Sequence, residues 1–262
     1  MELNAKTYYT PEANREFMSV SQFKEFLDCP ARMKAELDGE WTPEPSKALL
    51  MGSYVDAYFS DELQGFLNAH PEVINSRNGA LKADFQHCNK IIARASEDEL
   101  FMRYLDGVQK QYIETGELFG HPWKIKIDAW HPDKIVDLKV MRDMEPVWKD
   151  GKKQTFVDAW GYALQGAVYQ EINRQETWNR VPFYLAVITK EPEPDLAVIE
   201  IPNRRLNSEM AVIEHYIEEY AAVKEGRTEP RRCGKCAYCR RTKKLSRVMD
   251  YSELFEEMEV NG

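Results

Sequence analysis

The sequence predicts an α/β fold in which helices flank a central mixed sheet. Three observations favour it: helical periodicity through residues 19–105, two alternating polar and apolar segments within 121–140, and a later return to helix, strands and helix. A chain of 262 residues with 43% hydrophobic residues can bury the core that such a sheet needs. We expect one domain over 1–262, with a sheet-containing core at 106–226 and a basic, cysteine-rich segment at 227–247.

The segment up to residue 105 is predicted to be mainly helical. Ser19 is typical of a helix start, and apolar residues follow it at helical spacing until Pro30 interrupts the pattern. A second helix is predicted over 46–60. Helical spacing then continues through 81–95 and 97–105.

The period changes to two further along the chain. Residues 121–130 and 134–140 alternate like strands, and the turn between them indicates a hairpin. If the hairpin closes through residues 129–134, residue 128 faces 135. Asp128 and Asp137 are then diagonal neighbours on one face, roughly 7–8 Å apart.

This polar face suggests a site for a hard cation. Carboxylate oxygens suit Mg²⁺ or Mn²⁺, and either ion can activate water and offset charge on a phosphoryl group. Lys139 lies two residues after Asp137 and shares its face, where an ammonium group can stabilise the transition state of phosphodiester hydrolysis. The alternative is a solvated strand face with a surface ion pair, because such tripeptides are common.

The remaining elements complete the predicted sheet and its helices. Helical spacing returns over 158–173, strands are predicted over 183–189 and 196–201, and an amphipathic helix follows over 207–224.

Four ordered segments resemble the motifs of the RecB-like branch of PD-(D/E)XK nucleases. Within that branch, the chain is most similar to phage and prophage exonucleases of the exodeoxyribonuclease VIII type, from about residue 19 to 245. The fold implied is a restriction-endonuclease-like core. The segments are Gly52-Ser53-Tyr54-Val55-Asp56, Lys126-Ile127-Asp128, Ile135-Val136-Asp137-Leu138-Lys139 and Gln165-Gly166-Ala167-Val168-Tyr169.

The resemblance implies a set of roles for these residues. Lys139 positions the attacking water, and Gln165 and Tyr169 shape the substrate site or brace the sheet. Asp56 stands where the family usually has histidine, but a carboxylate also binds a hard cation, and Glu114 is the second choice of ligand. The residues expected to hold Mg²⁺ or Mn²⁺ are Asp56, Asp128, Asp137 and the carbonyl group of Leu138.

The resemblance also implies an activity and its context. We expect exonucleolytic digestion of linear double-stranded DNA, in phage-type recombination with a single-strand annealing protein, and assembly into a homo-oligomer. Two other functions stay open: a catalytically silent protein that binds DNA or assembles on a nuclease scaffold, and an endonuclease.

Three cysteines lie close together near the C-terminus. Cys233, Cys236 and Cys239 offer soft thiolates, which select an iron–sulfur cluster or zinc over magnesium. The family resemblance implies that Cys29 is the fourth ligand of a structural [4Fe–4S] cluster, with Zn²⁺ as the alternative. Cys88 is expected to be free.

Charge is unevenly distributed along the chain. The net charge is -9, yet residues 227–247 hold nine basic residues and one acidic residue. A polyanion is attracted to such a segment, although it can also be simply solvated. The residues predicted to contact DNA are Lys149, Lys152, Lys153, Arg240, Arg241, Lys243 and Lys244.

No apolar run approaches the roughly 20 residues of a membrane span, and the first ten residues do not resemble a secretion signal. We therefore expect a soluble, cytoplasmic protein that does not bind membranes, in the host cytoplasm if a phage encodes it.

Overall fold

The computed structural model describes residues 1–44, 46–149, 151–248 and 250–252. The helices are α1 Pro11–Glu16, α2 Val20–Asp28, α3 Pro30–Asp38, α4 Lys47–Phe59, α5 Leu63–Ala69, α6 Ala83–Ser96, α7 Glu99–Leu105, α8 Phe156–Ala159, α9 Tyr162–Thr177, α10 Asn203–Lys224 and α11 Ala237–Arg241, with a 3₁₀ turn at Pro71–Val73. The strands are β1 Gln109–Leu118, β2 His121–His131, β3 Lys134–Met141, β4 Val147–Lys149, β5 Lys152–Gln154, β6 Phe183–Thr189 and β7 Leu196–Ile201.

Five of these strands form one mixed sheet in the order β1-β2-β3-β6-β7. The central pair β3 and β6 is parallel, and the other neighbouring pairs are antiparallel. A parallel pair needs a long crossover connection, and here that connection contains the β4–β5 hairpin, α8 and α9. The predicted mixed sheet is confirmed.

Helices cover both faces of the sheet. On one face, α2, α9 and α10 bury side chains such as Phe23, Ile172 and Tyr220. On the other face, α4, α6 and α7 bury Val55, Ile91 and Phe101 among others. The sheet is thus the middle layer of three, and the predicted α/β fold with flanking helices is confirmed.

Local sequence signals set the helix boundaries in the N-terminal part. The Ser19 hydroxyl accepts a hydrogen bond from the Gln22 backbone N–H and caps α2, and Ser46 caps α4 in the same way. Helix α2 ends at Asp28, and Pro30 begins α3, because a proline fits the first turn of a helix but not its interior. The predicted helix starts and the interruption are confirmed.

The hairpin register differs from the predicted one. Ala129 pairs with Val136, which puts position 128 directly opposite 137 rather than opposite 135. The tighter turn follows from pairing of His131 with Lys134, which leaves only two residues in the loop. The pairing ends at Ala129 and Val136, so Asp128 and Asp137 are not the diagonal neighbours that the predicted register requires.

Sequence periodicity did not predict every element. Strand β1 pairs with β2 along its length, but most of its residues are polar and three are exposed at this edge of the sheet, so it lacks a clear alternation. The helix predicted over 158–173 is divided into α8 and α9 at Gly161, which adopts the left-handed conformation (φ 61°). None of the helices in the described ranges is long and apolar enough to cross a membrane.

Candidate active site and cysteine centre

A cleft of about 1220 Å³ brings the predicted catalytic residues together. Its floor is formed by β2 and β3, and its walls include one side of α4 from the first turn to Asp56 and the first turns of α9. A concave site lined by several carboxylates and a lysine is the arrangement expected for an active site. The predicted residues that line it are Asp56, Asp128, Asp137, Leu138, Lys139, Gln165 and Tyr169.

Asp128 lies where β2 and β3 separate. One carboxylate oxygen accepts a hydrogen bond from the Leu138 backbone N–H at 2.8 Å, so this side chain replaces the next rung of the ladder. Burial raises the pKa of Asp128 well above its ordinary value, and the negative charges of Asp137 and Asp56 raise it further. Asp128 is therefore a buried carboxylate that two neighbouring carboxylates repel.

Lys139 is ion-paired with Asp137, whose side chain is only 2% exposed. Burial disfavours the charged ammonium group, but Asp137 and Asp128 outweigh it and raise the pKa of Lys139. Lys139 Nζ also lies 4.9 Å from the centroid of the Tyr162 ring. The lysine is thus held as a cation at the cleft surface.

Gln165 and Tyr169 lie on one face of α9, as their spacing of four predicts. Gln165 Nε2 donates a hydrogen bond to Asp137 Oδ1 at 2.5 Å and so orients that carboxylate. Tyr169 is buried in the core beneath the cleft, with its ring centroid 6.3 Å from that of Phe183. Burial raises its pKa, so its hydroxyl stays protonated. Tyr169 therefore packs between α9 and the sheet.

Asp56 approaches the site from α4 on the opposite side of the cleft. Burial raises the pKa of Asp56, while Lys126 acts in the opposite direction. The second choice of ligand, Glu114, does not line the cleft and instead accepts hydrogen bonds from Asn173 at 3.1 and 3.2 Å.

Gln111 belongs to this site but carries no sequence signal that we recognised. Its Nε2 lies 3.3 Å from Asp56 Oδ1 and 3.5 Å from Asp128 Oδ1. Its backbone has a φ of 51°, a left-handed conformation that is unusual for a non-glycine residue in a strand. Such strain is typical of functional sites, and here it directs the amide between two carboxylates.

The donor chemistry of this cleft fits a divalent cation. Asp56 and Asp137 add to the effect of burial on the pKa of Asp128, and a hard cation would reduce the repulsion between these carboxylates. The Gln111 amide lies between Asp56 and Asp128, and Lys139 is ion-paired with Asp137. The carboxylates therefore do not form a closed cage. Asp56, Asp128 and Asp137 are the residues that would hold the ion.

The four predicted cysteine ligands converge at a second centre. In the described part of the chain, they are the only group of three or more His, Cys, Asp or Glu residues whose ligand atoms all lie within 4.8 Å of one another. Cys239 Sγ lies 3.6 Å from that of Cys29 and 3.9 Å from that of Cys233. A tetrahedral ion with metal–sulfur bonds of about 2.3 Å separates its sulfurs by ~3.8 Å. The centre therefore fits a single metal ion.

Backbone N–H groups donate hydrogen bonds to two of the cysteine sulfurs. The Cys236 N–H donates to Cys233 Sγ at 3.3 Å, and the Cys239 N–H donates to Cys236 Sγ at 3.4 Å. Burial opposes ionisation of Cys233, but the backbone N–H of Cys236 and the neighbouring thiols outweigh it and lower its pKa to about 6, whereas burial raises the pKa of Cys236. Cys88 lies apart from the centre, with its thiol directed at the Met51 carbonyl group.

The predicted DNA-binding cations lie outside the lining of the cleft. Lys149 donates to the Ala159 carbonyl group at 2.8 Å, while Lys152 and Lys153 are exposed on the β4–β5 hairpin. The same hairpin places Trp148, which is 74% exposed, at the cleft rim. The C-terminal cations are exposed in or just after α11, beside the cysteine centre: Arg240, Arg241, Lys243 and Lys244.

A solved structure is similar to this chain along nearly its whole length. A crystal structure of a candidate exonuclease from Eubacterium rectale is 43% identical, covers 97% of this chain and 98% of its own, and superposes with a TM-score of 0.93. The structure of SSO0001 is 13% identical over 83% of this chain and 93% of its own, and it superposes poorly, with a TM-score of 0.31. None of the curated proteins matches the chain.

A family described as a PDDEXK-like domain of unknown function (DUF3799) matches residues 19–242. The match covers the four motif segments and all four cysteines. The resemblance to PD-(D/E)XK nucleases is thereby confirmed, together with the nuclease-like α/β core. The chain belongs to the DUF3799 family of PDDEXK-like domains.

Proposed function

We propose that this protein is a Mg²⁺-dependent DNA exonuclease that hydrolyses linear double-stranded DNA, with Mn²⁺ as a substitute ion. The observation that supports it best is the contact of Asp137 with both Lys139 and Gln165, in a cleft that also contains Asp128 and Asp56. The likeness to the E. rectale protein supports a nuclease as well.

Different residues of the cleft would have different roles in hydrolysis. Asp56, Asp128 and Asp137, with the Leu138 carbonyl group, would hold the cation, which supplies an activated water and charge stabilisation at the phosphoryl oxygen. The Lys139 ammonium group would orient the attacking water and stabilise negative charge that develops in the transition state. Gln165 would keep the Asp137 carboxylate turned towards the cleft.

The test is nucleotide release from end-labelled linear duplex, with Mg²⁺ and with EDTA. Wild-type protein should release nucleotides only with the cation, and Lys139→Ala should lose activity by a factor of about 10² or more. Lys82→Ala, which changes an exposed lysine at the start of α6, is the matched control and should remain active. Equal release by the wild type and Lys139→Ala would overturn the assignment.

Two further substrates separate the other functions. Cleavage of closed circular DNA would show an endonuclease, because that substrate has no ends. Binding of the linear duplex without any cation-dependent cleavage would show a catalytically silent DNA-binding protein. Labels at either end of each strand would also give the polarity of digestion.

For the cysteine centre we propose a structural metal site that holds the α2–α3 junction to the C-terminal segment. The sulfur separations of 3.6 and 3.9 Å favour one tetrahedral Zn²⁺, since the thiolates of a [4Fe–4S] cluster bind different irons. Anaerobically purified protein should be colourless and contain one zinc. A brown preparation with broad absorption and bound iron would establish the cluster instead.

The proposed biological role is phage-type recombination, in which digestion exposes a single strand for an annealing protein. A homo-oligomer that surrounds DNA would keep the substrate bound between cleavage steps. Light scattering of the purified protein, alone and with linear duplex, tests the assembly, and a monomer under both conditions would contradict it.

A further inference from the structure

Lys24 is one of five lysines that line the cleft, together with Lys124, Lys126, Lys139 and Lys190. It lies on α2 and lines the same cleft as the carboxylates. Among the described residues, it has neither a hydrogen-bond acceptor nor an ion-pair partner. Lys139, in contrast, is paired with Asp137.

The ammonium groups of Lys24 and Lys139 both lie close to the ring of Tyr162. Lys24 Nζ lies 5.2 Å from the centroid of the Tyr162 ring, and Lys139 Nζ lies 4.9 Å from the same centroid. Both ammonium groups are attracted to the electron-rich face of a ring. Tyr162 therefore places Lys24 beside the catalytic lysine.

Gly161 makes room for the stem of Lys24. A Cβ atom at position 161 would lie 3.1 Å from Lys24 Cε and 3.7 Å from its Cδ. The φ of 61° at Gly161 also disfavours any larger residue there. The bend between α8 and α9 thus holds the lysine side chain against its backbone, which reduces the freedom of the ammonium group.

The burial of Lys24 and the nearby charge of Lys139 favour the binding of an anion beside it. Burial, followed by the positive charge of Lys139, lowers the pKa of Lys24 to about 7, although Asp137 and Glu209 act in the opposite direction. Bringing a second cation near Lys139 costs free energy, and an anionic ligand would recover it. The substrate of a nuclease carries one phosphate per nucleotide, so neighbouring phosphates enter the cleft together.

We propose that Lys24 forms a second phosphate-binding subsite, which holds the backbone phosphate next to the one that Lys139 serves. The subsite rests on the proposed nuclease function for the identity of its ligand. Lys24 acts in substrate positioning, since among the described residues no carboxylate forms an ion pair with it. An ammonium group binds phosphate without reading the base, so the subsite is independent of sequence.

The test is the salt dependence of binding to a fluorescent linear duplex, measured by anisotropy without divalent cation. Loss of one phosphate contact should reduce the slope of log K against log salt by about 0.9. We expect this reduction for Lys24→Met, and the same loss of affinity for unrelated DNA sequences. Lys24→Arg should restore the slope, because a guanidinium group also binds phosphate. Lys82→Met is the matched control and should keep the wild-type slope.

Three further readouts separate positioning from a structural effect. In Mg²⁺-dependent digestion, Lys24→Met should raise KM more than it lowers kcat. Its Mn²⁺ affinity should not fall, because removal of a nearby positive charge does not weaken cation binding. Its thermal stability should equal or exceed that of the wild type, because an unpaired, partly buried charge has been removed. An unchanged slope and KM in folded Lys24→Met would overturn the subsite.

The outcomes distinguish the subsite from the nuclease assignment. If the wild type digests DNA and Lys24→Met keeps the wild-type slope, the subsite fails alone. If the wild type binds duplex without digestion and Lys24→Met lowers the slope, the catalytic assignment fails and the phosphate contact stands. If Lys24→Met does not fold, comparison of Lys24→Arg with Lys24→Gln decides, and equal slopes for both contradict the proposal.

Discussion

At the scale of single residues, the cleft is arranged by side chains that touch its carboxylates. Gln165 binds Asp137, and Gln111 reaches both Asp56 and Asp128. Gln111 does so from a left-handed backbone, and its Oε1 is buried without a hydrogen-bond partner among the described residues. A strained residue that is also incompletely satisfied indicates selection for the position of its amide group.

We predict that Gln111→Leu weakens the binding of Mn²⁺ by about 10–100-fold, the usual effect of removing a partner of a metal ligand. The physical reason is that Asp56 and Asp128 lose the amide that lies between them. Titration calorimetry with Mn²⁺ measures the affinity, and Gln64→Leu on the exposed face of α5 is the control. Wild-type affinity in folded Gln111→Leu would contradict a role in positioning the ligands.

At the scale of elements, the contact between α9 and β6 sets the position of Gln165. Gly166 allows this contact, because a Cβ atom there would lie 2.4 Å from Cδ1 of Phe183. A separation this short forces the helix and the strand apart. The glycine therefore lets α9 approach the sheet closely enough for the adjacent Gln165 to reach Asp137.

We predict that Gly166→Ala lowers the free energy of unfolding by about 1–3 kcal/mol and also reduces nuclease activity. Overpacking displaces α9 and moves Gln165 away from Asp137. Urea denaturation measures the stability. Gly65→Ala is the control, since nothing lies within 4 Å of its added Cβ, and it should stabilise α5 by roughly 0.5–1 kcal/mol. Equal stabilities for the two variants would show that the contact with Phe183 has no consequence.

At the scale of the whole molecule, buried lysines join the N-terminal segment to the rest of the chain. Lys124 Nζ donates to the Tyr8 carbonyl group, and Lys224 Nζ donates to that of Phe17. Burial, with a further effect of Lys124, lowers the pKa of Lys224 to about 7. The unfolded chain therefore binds more protons than the folded protein between pH 7 and about 10.5, the ordinary pKa of lysine.

We predict that stability depends on pH through Lys224. A lowered pKa in the folded state makes the free energy of unfolding rise with pH in this window, by at most ~1.4 kcal/mol per pH unit from one lysine. Below pH 7 the cost of burying the charge is fully present. Urea denaturation from pH 7 to 9.5 should show a smaller rise for Lys224→Met than for the wild type or Lys82→Met. The same rise in all three proteins would contradict the shift.

The cysteine centre joins the two ends of the described chain more directly. Cys29 lies between α2 and α3, and its three partners lie in the segment that follows α10. The Ala31 N–H donates to the Arg231 carbonyl group at 3.1 Å, which continues this connection. A metal bound here closes a long loop and so stabilises the folded state.

We predict that Cys239→Ser loses the bound metal and has a lower Tm than the wild type. For a chain of this size, a decrease of about 2 kcal/mol in the free energy of unfolding lowers Tm by roughly 4–8 °C. A chelator should lower the Tm of the wild type but leave that of Cys239→Ser unchanged. Metal content is measured by mass spectrometry, with Cys88→Ala as the control that keeps the metal. Equal metal content in both variants would show that the thiols do not form a site.

Much of the fold and part of the site could be predicted from local patterns. Ser19 and Pro30 bound the first long helix because capping and proline chemistry act within one turn. The strand pattern predicted that Asp137 and Lys139 share a face, and motif order added Asp56 and Gln165. The register of the hairpin was predicted wrongly, because it depends on where the strands separate around Asp128 rather than on alternation.

The sequence by itself determined the local elements, the cluster of three cysteines and the pairing of an aspartate with a lysine on one strand. Only the tertiary structure decided that Gln111 and Lys24 enter the same cleft, since they come from an edge strand and a distant helix. Local patterns are set by interactions between residues close in sequence. The meeting of distant side chains depends on how helices pack on a sheet, and that is a property of the whole core.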